Sequence, residues 1–151
     1  MDINQLKTKV CLSIDERSDE IIAIGETILR NPETGFREFN TERLVSDKLS
    51  SLGLKPKSGL AITGVKATLE SEPNGPTIAV IGELDSLCIP DHPFADPITG
   101  AAHACGHNAQ IAGMIGAAIG LIDGKIAANL SGNVSFMAVP AEEMIEVGYR
   151  M

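Results

Sequence analysis

The 151-residue sequence predicts an α/β domain built as a layered sheet with helices on both faces. Three observations predict it. TIAVIGEL (77–84) and NVSFMAVP (133–140) are short, apolar and rich in β-branched residues, the pattern of strands covered on both faces. Segments of helical periodicity flank those strands. No break in composition divides the chain, and its length is enough to bury one core.

Taken in order, residues 16–30 place Ile21, Ile24, Ile28 and Leu29 at helical spacing. Asn31-Pro32 stops that helix, because proline cannot continue the hydrogen-bond ladder. A second helix is predicted over 38–52. Leu44, Val45, Leu49 and Leu52 line one face, Gly53 falls where a left-handed C-cap residue belongs, and Pro56 follows. In GVKATLES (64–71) the period changes to two. Val65, Ala67 and Leu69 alternate with Lys66, Thr68 and Glu70, as in a half-buried strand. EPNGP (72–76) is a turn between this strand and TIAVIGEL. A loop rich in glycine and proline over 86–106 leads into an apolar helix at 108–122, with Asn108 as its cap. Ile111–Ile122 is apolar nearly all round, so that helix must be buried on more than one side. Pro140 ends the strand over 133–140.

The formal net charge of −8 excludes a nucleic-acid partner, since phosphate binding needs a basic face, and the absence of Trp removes stacking platforms. The N-terminus is polar with no signal-peptide core. The longest apolar run is too short to cross a bilayer, so no membrane partner is expected. Cysteines 11, 88 and 105 are odd in number and widely spaced, which is not a disulfide framework. A reducing cytoplasm is the expected compartment.

HACGHNAQ (103–110) concentrates the chemistry. In Cys105-Gly106-His107, two side chains separated by a glycine in extended backbone point the same way, and the glycine leaves room between them. A thiolate and an imidazole converging on one point suit zinc or a similar divalent ion. An isolated Cys-x-His is more often a free cysteine beside a capping histidine, but this one lies at a strand-to-helix crossover, where α/β sheets place their sites. Glu142-Glu143 follows the second apolar strand directly. Adjacent residues in extended backbone face opposite sides, so one carboxylate is read as a metal ligand and the other as a general base. Most such pairs are solvated surface, and the position at a strand end sets this one apart. Glu83 and Asp85, at the end of the first apolar strand, share a side of it.

The series GELDSL, GAAHACGHN and VPAEE resembles the metal-dependent amidohydrolases and peptidases of the aminoacylase and carboxypeptidase clan, in the branch with N-acyl-amino-acid amidohydrolases and aminobenzoyl-glutamate hydrolase. NPETGFREFNT is similar to the segment after that family's first helix. The resemblance implies hydrolysis of an amide bond in a small-molecule substrate, by water activated on divalent metal ions, two per complete site. Zinc is the expected metal, with manganese, cobalt or nickel as alternatives. It implies Cys105, His107 and Glu143 as metal ligands. For catalysis it implies Glu142 as general base and Asp85 as the acidic residue supporting the metal site. Glu83 stands where other branches have a metal-binding histidine. His92 and His103 are expected to be hydrogen-bonding or loop residues.

The resemblance also implies two further histidine ligands and a lid and dimerisation domain downstream of the matched segment. Residues 1–151 are therefore expected to form the N-terminal portion of a catalytic domain that is incompetent alone. The alternative is a non-catalytic, degenerate domain acting as an interaction or weak metal-binding module. Strand edges left open by a chain of this extent predict self-association into a homo-oligomer.

Overall fold

In the computed structural model, which describes residues 1–72 and 74–144, the chain opens with a helix that the sequence reading did not anticipate. Helix α1 (Ile3–Glu16) begins at a capping box. The Asp2 carboxylate accepts the amides of Asn4 and Gln5, and the Gln5 side chain receives the Asp2 amide. The helix is mostly polar and only one edge of it is used. Val10 and Ile14 press onto Gly120, where an added Cβ would come within 2.8 Å of Val10. A glycine at that crossing lets the two backbones close up.

Helix α2 (Ser18–Arg30) and helix α3 (Phe39–Ser51) match the two predicted helices. Ile24 and Ile28 of α2, with Val45 and Leu49 of α3, are buried in the core, and Gly53 takes the left-handed conformation at φ +83°. Arg17, between α1 and α2, pairs with Glu20 and Asp123, and Lys48 of α3 also reaches Glu20. Such half-exposed pairs hold orientation more than they add stability.

The strands are β1 (Lys57–Leu60), β2 (Gly64–Leu69), β3 (Thr77–Glu83), β4 (Leu87–Cys88), β5 (Ala101–Ala102) and β6 (Asn133–Val139). The main sheet has the order β1-β2-β6-β3, with β2 antiparallel and β3 parallel to β6. Helix α4 (His107–Asp123) lies on this sheet, and α1, α2 and α3 pack around it. Its buried residues include Ile111, Met114, Ile115, Ala118 and Ile119, which meet Phe136, Val65 and Leu84 in a single core. The α4 prediction of burial on several sides holds.

The α/β class is as read. Helices α3 and α4 join one core with the Val65–Ala67–Phe136–Ala138 face. Two details differ. Strand β3, expected to be covered on both faces, is instead at the edge of the sheet, with Ile78 and Ile81 exposed at 67% and 55%. An apolar run marks a strand but not its place in the sheet, and that place decides the burial. The loop over 86–106 also contains a small two-stranded ladder, β4 with β5.

Two placements matter for chemistry. Glu83 and Val139 are register partners, so β3 and β6 finish side by side. Gly82 lets α4 lie directly on β3, since a Cβ there would come 3.0 Å from Ile111 and 3.3 Å from the Gln110 carbonyl. The start of α4 is thereby brought to the carboxyl ends of two parallel strands, the usual ligand position in such sheets.

Candidate metal centre

His107 is the first residue of α4 and is 3% exposed. Its Nδ1 is 2.8 Å from the Asp85 carbonyl oxygen and 3.6 Å from the Asp85 carboxylate. With Nδ1–H donating to that carbonyl, Nε2 is the nitrogen turned towards chemistry. Around Nε2 stand Glu83 at 2.8 Å and Glu142 and Glu143 at 3.8 Å each. The Gln110 side-chain amide, further along the first turn of α4, donates to the same Glu83 oxygen at 3.0 Å. Glu83 and Asp85 thus flank the two nitrogens of one imidazole.

Cys105 reaches the same place by a route other than the one expected. The backbone at Gly106 is not extended. Gly106 is the helix N-cap in a left-handed conformation, φ +93°, and a Cβ on it would meet nothing within 4 Å. The cap position is therefore the glycine. Asn108, expected to be the cap, lies inside the first turn and donates to the Gly25 carbonyl instead, tying α4 to α2. Cys105 is exposed. A hydrogen bond to Glu143 comes first among the causes that push its thiol up to about 11, followed by burial and the charges of Glu143, Glu142 and Glu83.

The acidic pair also departs from the extended geometry expected. Ala141 has φ +57°, and Glu142, Glu143 and Met144 are helical. The two carboxylates consequently approach the same imidazole nitrogen rather than opposite sides. Cys105, His107 and Glu143 bring one donor atom each within 4.8 Å of one another, and so do Glu83, His107 and Glu142. Glu143 Oε1 is buried with no hydrogen-bond partner among the described residues. An orphaned carboxylate oxygen beside a thiol and an imidazole is a donor set that fits a divalent transition ion.

Asp85 is fully buried, and its two carboxylate oxygens receive the amides of Glu142 and Glu143 at 3.2 and 3.0 Å. Burial raises its carboxyl above the usual range, opposed by the Glu143 amide and then by further hydrogen bonds and His107. It holds two backbone amides and faces no open space. His92 accepts the Phe94 amide, as a loop residue. His103 is likewise a loop residue. It is 5% exposed, neither ring nitrogen has a hydrogen-bond partner among the described residues, and burial, with His107 nearby, lowers it to about 4.

Sequence reasoning missed the residues that fasten these pieces. Glu33 receives the amides of Asn40 and Thr41 at the start of α3, while its carbonyl accepts the Ser86 amide and hydroxyl. The segment NPETGFREFNT is thereby docked beside Asp85. Glu38 and Thr63, both buried, join the turn at Ala141. The one sequence signal for Glu38 is its place in that segment, since Arg37-Glu38 otherwise reads as solvated charge.

Residues 79–150 match the sequence model of Peptidase family M20/M25/M40. The resemblance read from the motifs holds. Thermostable carboxypeptidase 2 of Saccharolobus solfataricus is 32% identical over 142 residues, covering 91% of this chain and 36% of that protein. N-acetyl-L-cysteine deacetylase of Bacillus subtilis is 32% identical over 127 residues, covering 82% and 30%. The fold is similar to the Bacillus subtilis YXEP protein, described as a dinuclear metal-binding peptidase of the M20 family. That likeness has a TM-score of 0.71 and 30% identity, covering 87% of this chain and 39% of that one. The chain spans about a third of the length of the curated M20 relatives it matches.

Proposed function

We propose that this M20-type segment supplies part of the metal site of an amide hydrolase acting on N-acyl amino acids or small peptide-like substrates. The observation that carries this is the convergence of Cys105, His107 and Glu143 with a buried, unpartnered Glu143 oxygen among them. Those three residues would hold zinc, or manganese, cobalt or nickel. Bound there, such an ion supplies Lewis-acid polarisation of the amide carbonyl and acidifies water.

The chain's own residues do the rest. Asp85 fixes the His107 ring through its carbonyl and the acidic pair through its carboxylate. Glu142, with its side chain 35% exposed and 3.8 Å from His107 Nε2, would take a proton from the attacking water and return it to the leaving amine. Both candidate donor sets use His107, and its Nδ1 is already engaged by Asp85. Sharing that one nitrogen, the two donor sets would hold one ion at a time through His107, and a two-ion site would draw on further donors.

Zinc titration tests this. One ion per chain is expected. Because Cys105 keeps its proton up to about 11, apparent affinity should rise about tenfold per pH unit near neutrality as the thiolate forms. Cys105→Ser should lose both affinity and that slope. Equal zinc content in the two proteins would sink the assignment.

A further inference from the structure

We propose that Glu38 is a positioning residue for the Glu142-Glu143 pair, acting through the backbone of Ala141. Glu38 occupies the N-cap position of α3, yet it makes no cap; Glu33 does that work. Its carboxylate is turned inward and is fully buried. One oxygen receives the Ala141 amide at 2.9 Å, and the other receives the Thr63 hydroxyl at 2.7 Å. No cation accompanies it among the described ion pairs. A carboxylate buried without a cation is a poor device for stability, since an apolar side chain of similar volume packs as well without desolvating charge. What it supplies is an acceptor at a fixed point.

That point is where the chain turns. Ala141 adopts a left-handed conformation that alanine rarely holds, and only surrounding structure keeps it there. The next two amides, of Glu142 and Glu143, are held by Asp85. Three consecutive amides are thus gripped by two buried carboxylates, one from α3 and one from the end of β3. Without the Glu38 grip the strained turn can relax, and the carboxylates of Glu142 and Glu143 leave their common approach to His107. Thr63 ties the same carboxylate to the turn between β1 and β2, so the position is set from three elements at once.

This rests on the metal-binding reading, and the test separates the two. Zinc affinity and urea stability are measured for the wild-type chain, Glu38→Ala, Glu38→Gln and Val45→Ala. Val45 is a buried residue of α3 remote from the turn contacts and serves as a control for lost packing. Glu38→Ala should weaken zinc about 10- to 100-fold, the range seen when a residue orienting metal ligands is removed. Glu38→Gln keeps a carbonyl acceptor for Ala141 and should restore affinity to within about threefold. Val45→Ala should lose stability with affinity unchanged. If Glu38→Ala does not fold, Thr63→Val replaces it, with a smaller loss of affinity expected. Wild-type binding with Glu38→Ala unchanged, or Val45→Ala weakened as much as Glu38→Ala, overturns the role of Glu38 alone. No zinc binding by the wild type overturns the metal reading and this inference with it.

Discussion

His107 and His103 stand four positions apart in one motif, and both are almost completely buried. His107 has acceptors at both ring nitrogens, from the Asp85 carbonyl and Glu83, with two more carboxylates nearby. His103 has none. The same residue type at the same burial is therefore a hub in one place and an isolated neutral ring in the other. Burial does not distinguish a ligand from a packed side chain. The geometry of surrounding acceptors does, and it is set by strands β3 and β6 rather than by the motif.

The difference can be broken most sharply by metal affinity. His107→Ala should weaken zinc on the order of 1,000-fold, about 4 kcal/mol, because it removes the one donor common to both candidate sets. His103→Leu should stay within about threefold of wild type, since His103 offers no hydrogen bond to a ligand. Comparable losses from the two substitutions, measured by competition with a chelating dye, would erase the contrast.

The next effect is on stability, in metal-free protein. His103 ordinarily titrates near 6.5 and is lowered to about 4 here. The unfolded chain binds that proton first, so the stability contributed by the neutral ring is complete above 6.5 and is lost as pH falls through 4. The depression corresponds to about 3 kcal/mol at 1.36 kcal/mol per unit. Asp85 has the opposite sign. Its raised carboxyl favours the folded state most at low pH, and that gain is lost as pH climbs above its ordinary 3.8. Comparing urea midpoints of wild type and His103→Leu across this range isolates the histidine. Parallel pH profiles would show that His103 is not the group responsible.

Gly106, between the two histidines, gives the smallest effect. At φ +93° with no atom within 4 Å of an added Cβ, Gly106→Ala brings backbone strain without a clash. A loss of about 1–2 kcal/mol is expected from thermal unfolding. A neutral substitution would mean that the left-handed cap is not required to bring Cys105 beside His107.

Much of this was legible in the sequence. Periodicity located α2, α3 and β2, because each shows its buried face in the order of its residues, and continuous apolar runs located α4, β3 and β6. The metal-liking clusters at the strand ends were legible as well, and the structure brings Glu83, Asp85, Cys105, His107, Glu142 and Glu143 together. Helix α1 was not, since Val10 and Ile14 make too narrow a stripe in a polar segment. The exposed face of β3 was not, because sheet order is a long-range property. Nor was Glu38, whose partners at Thr63 and Ala141 are 25 and 103 residues away. A buried carboxylate looks like a surface one until its acceptor geometry is seen.

The small ladder of β4 and β5 has one more consequence. It joins the two halves of the centre, with Asp85 just before Leu87–Cys88 and Cys105 just after Ala101–Ala102, and the Ile89 amide bonded to the Gly100 carbonyl closes its outer end. Residues 90–99 project beyond that closure, carry exposed Phe94 and Ile98, and are organised by Asp96, which receives the amides of Ile98 and Thr99 and the Thr99 hydroxyl. A hinge-free neck of this kind uncouples the projection from the ligands behind it. Lengthening, shortening or rewriting that projection should therefore leave the donor atoms behind the ladder in place.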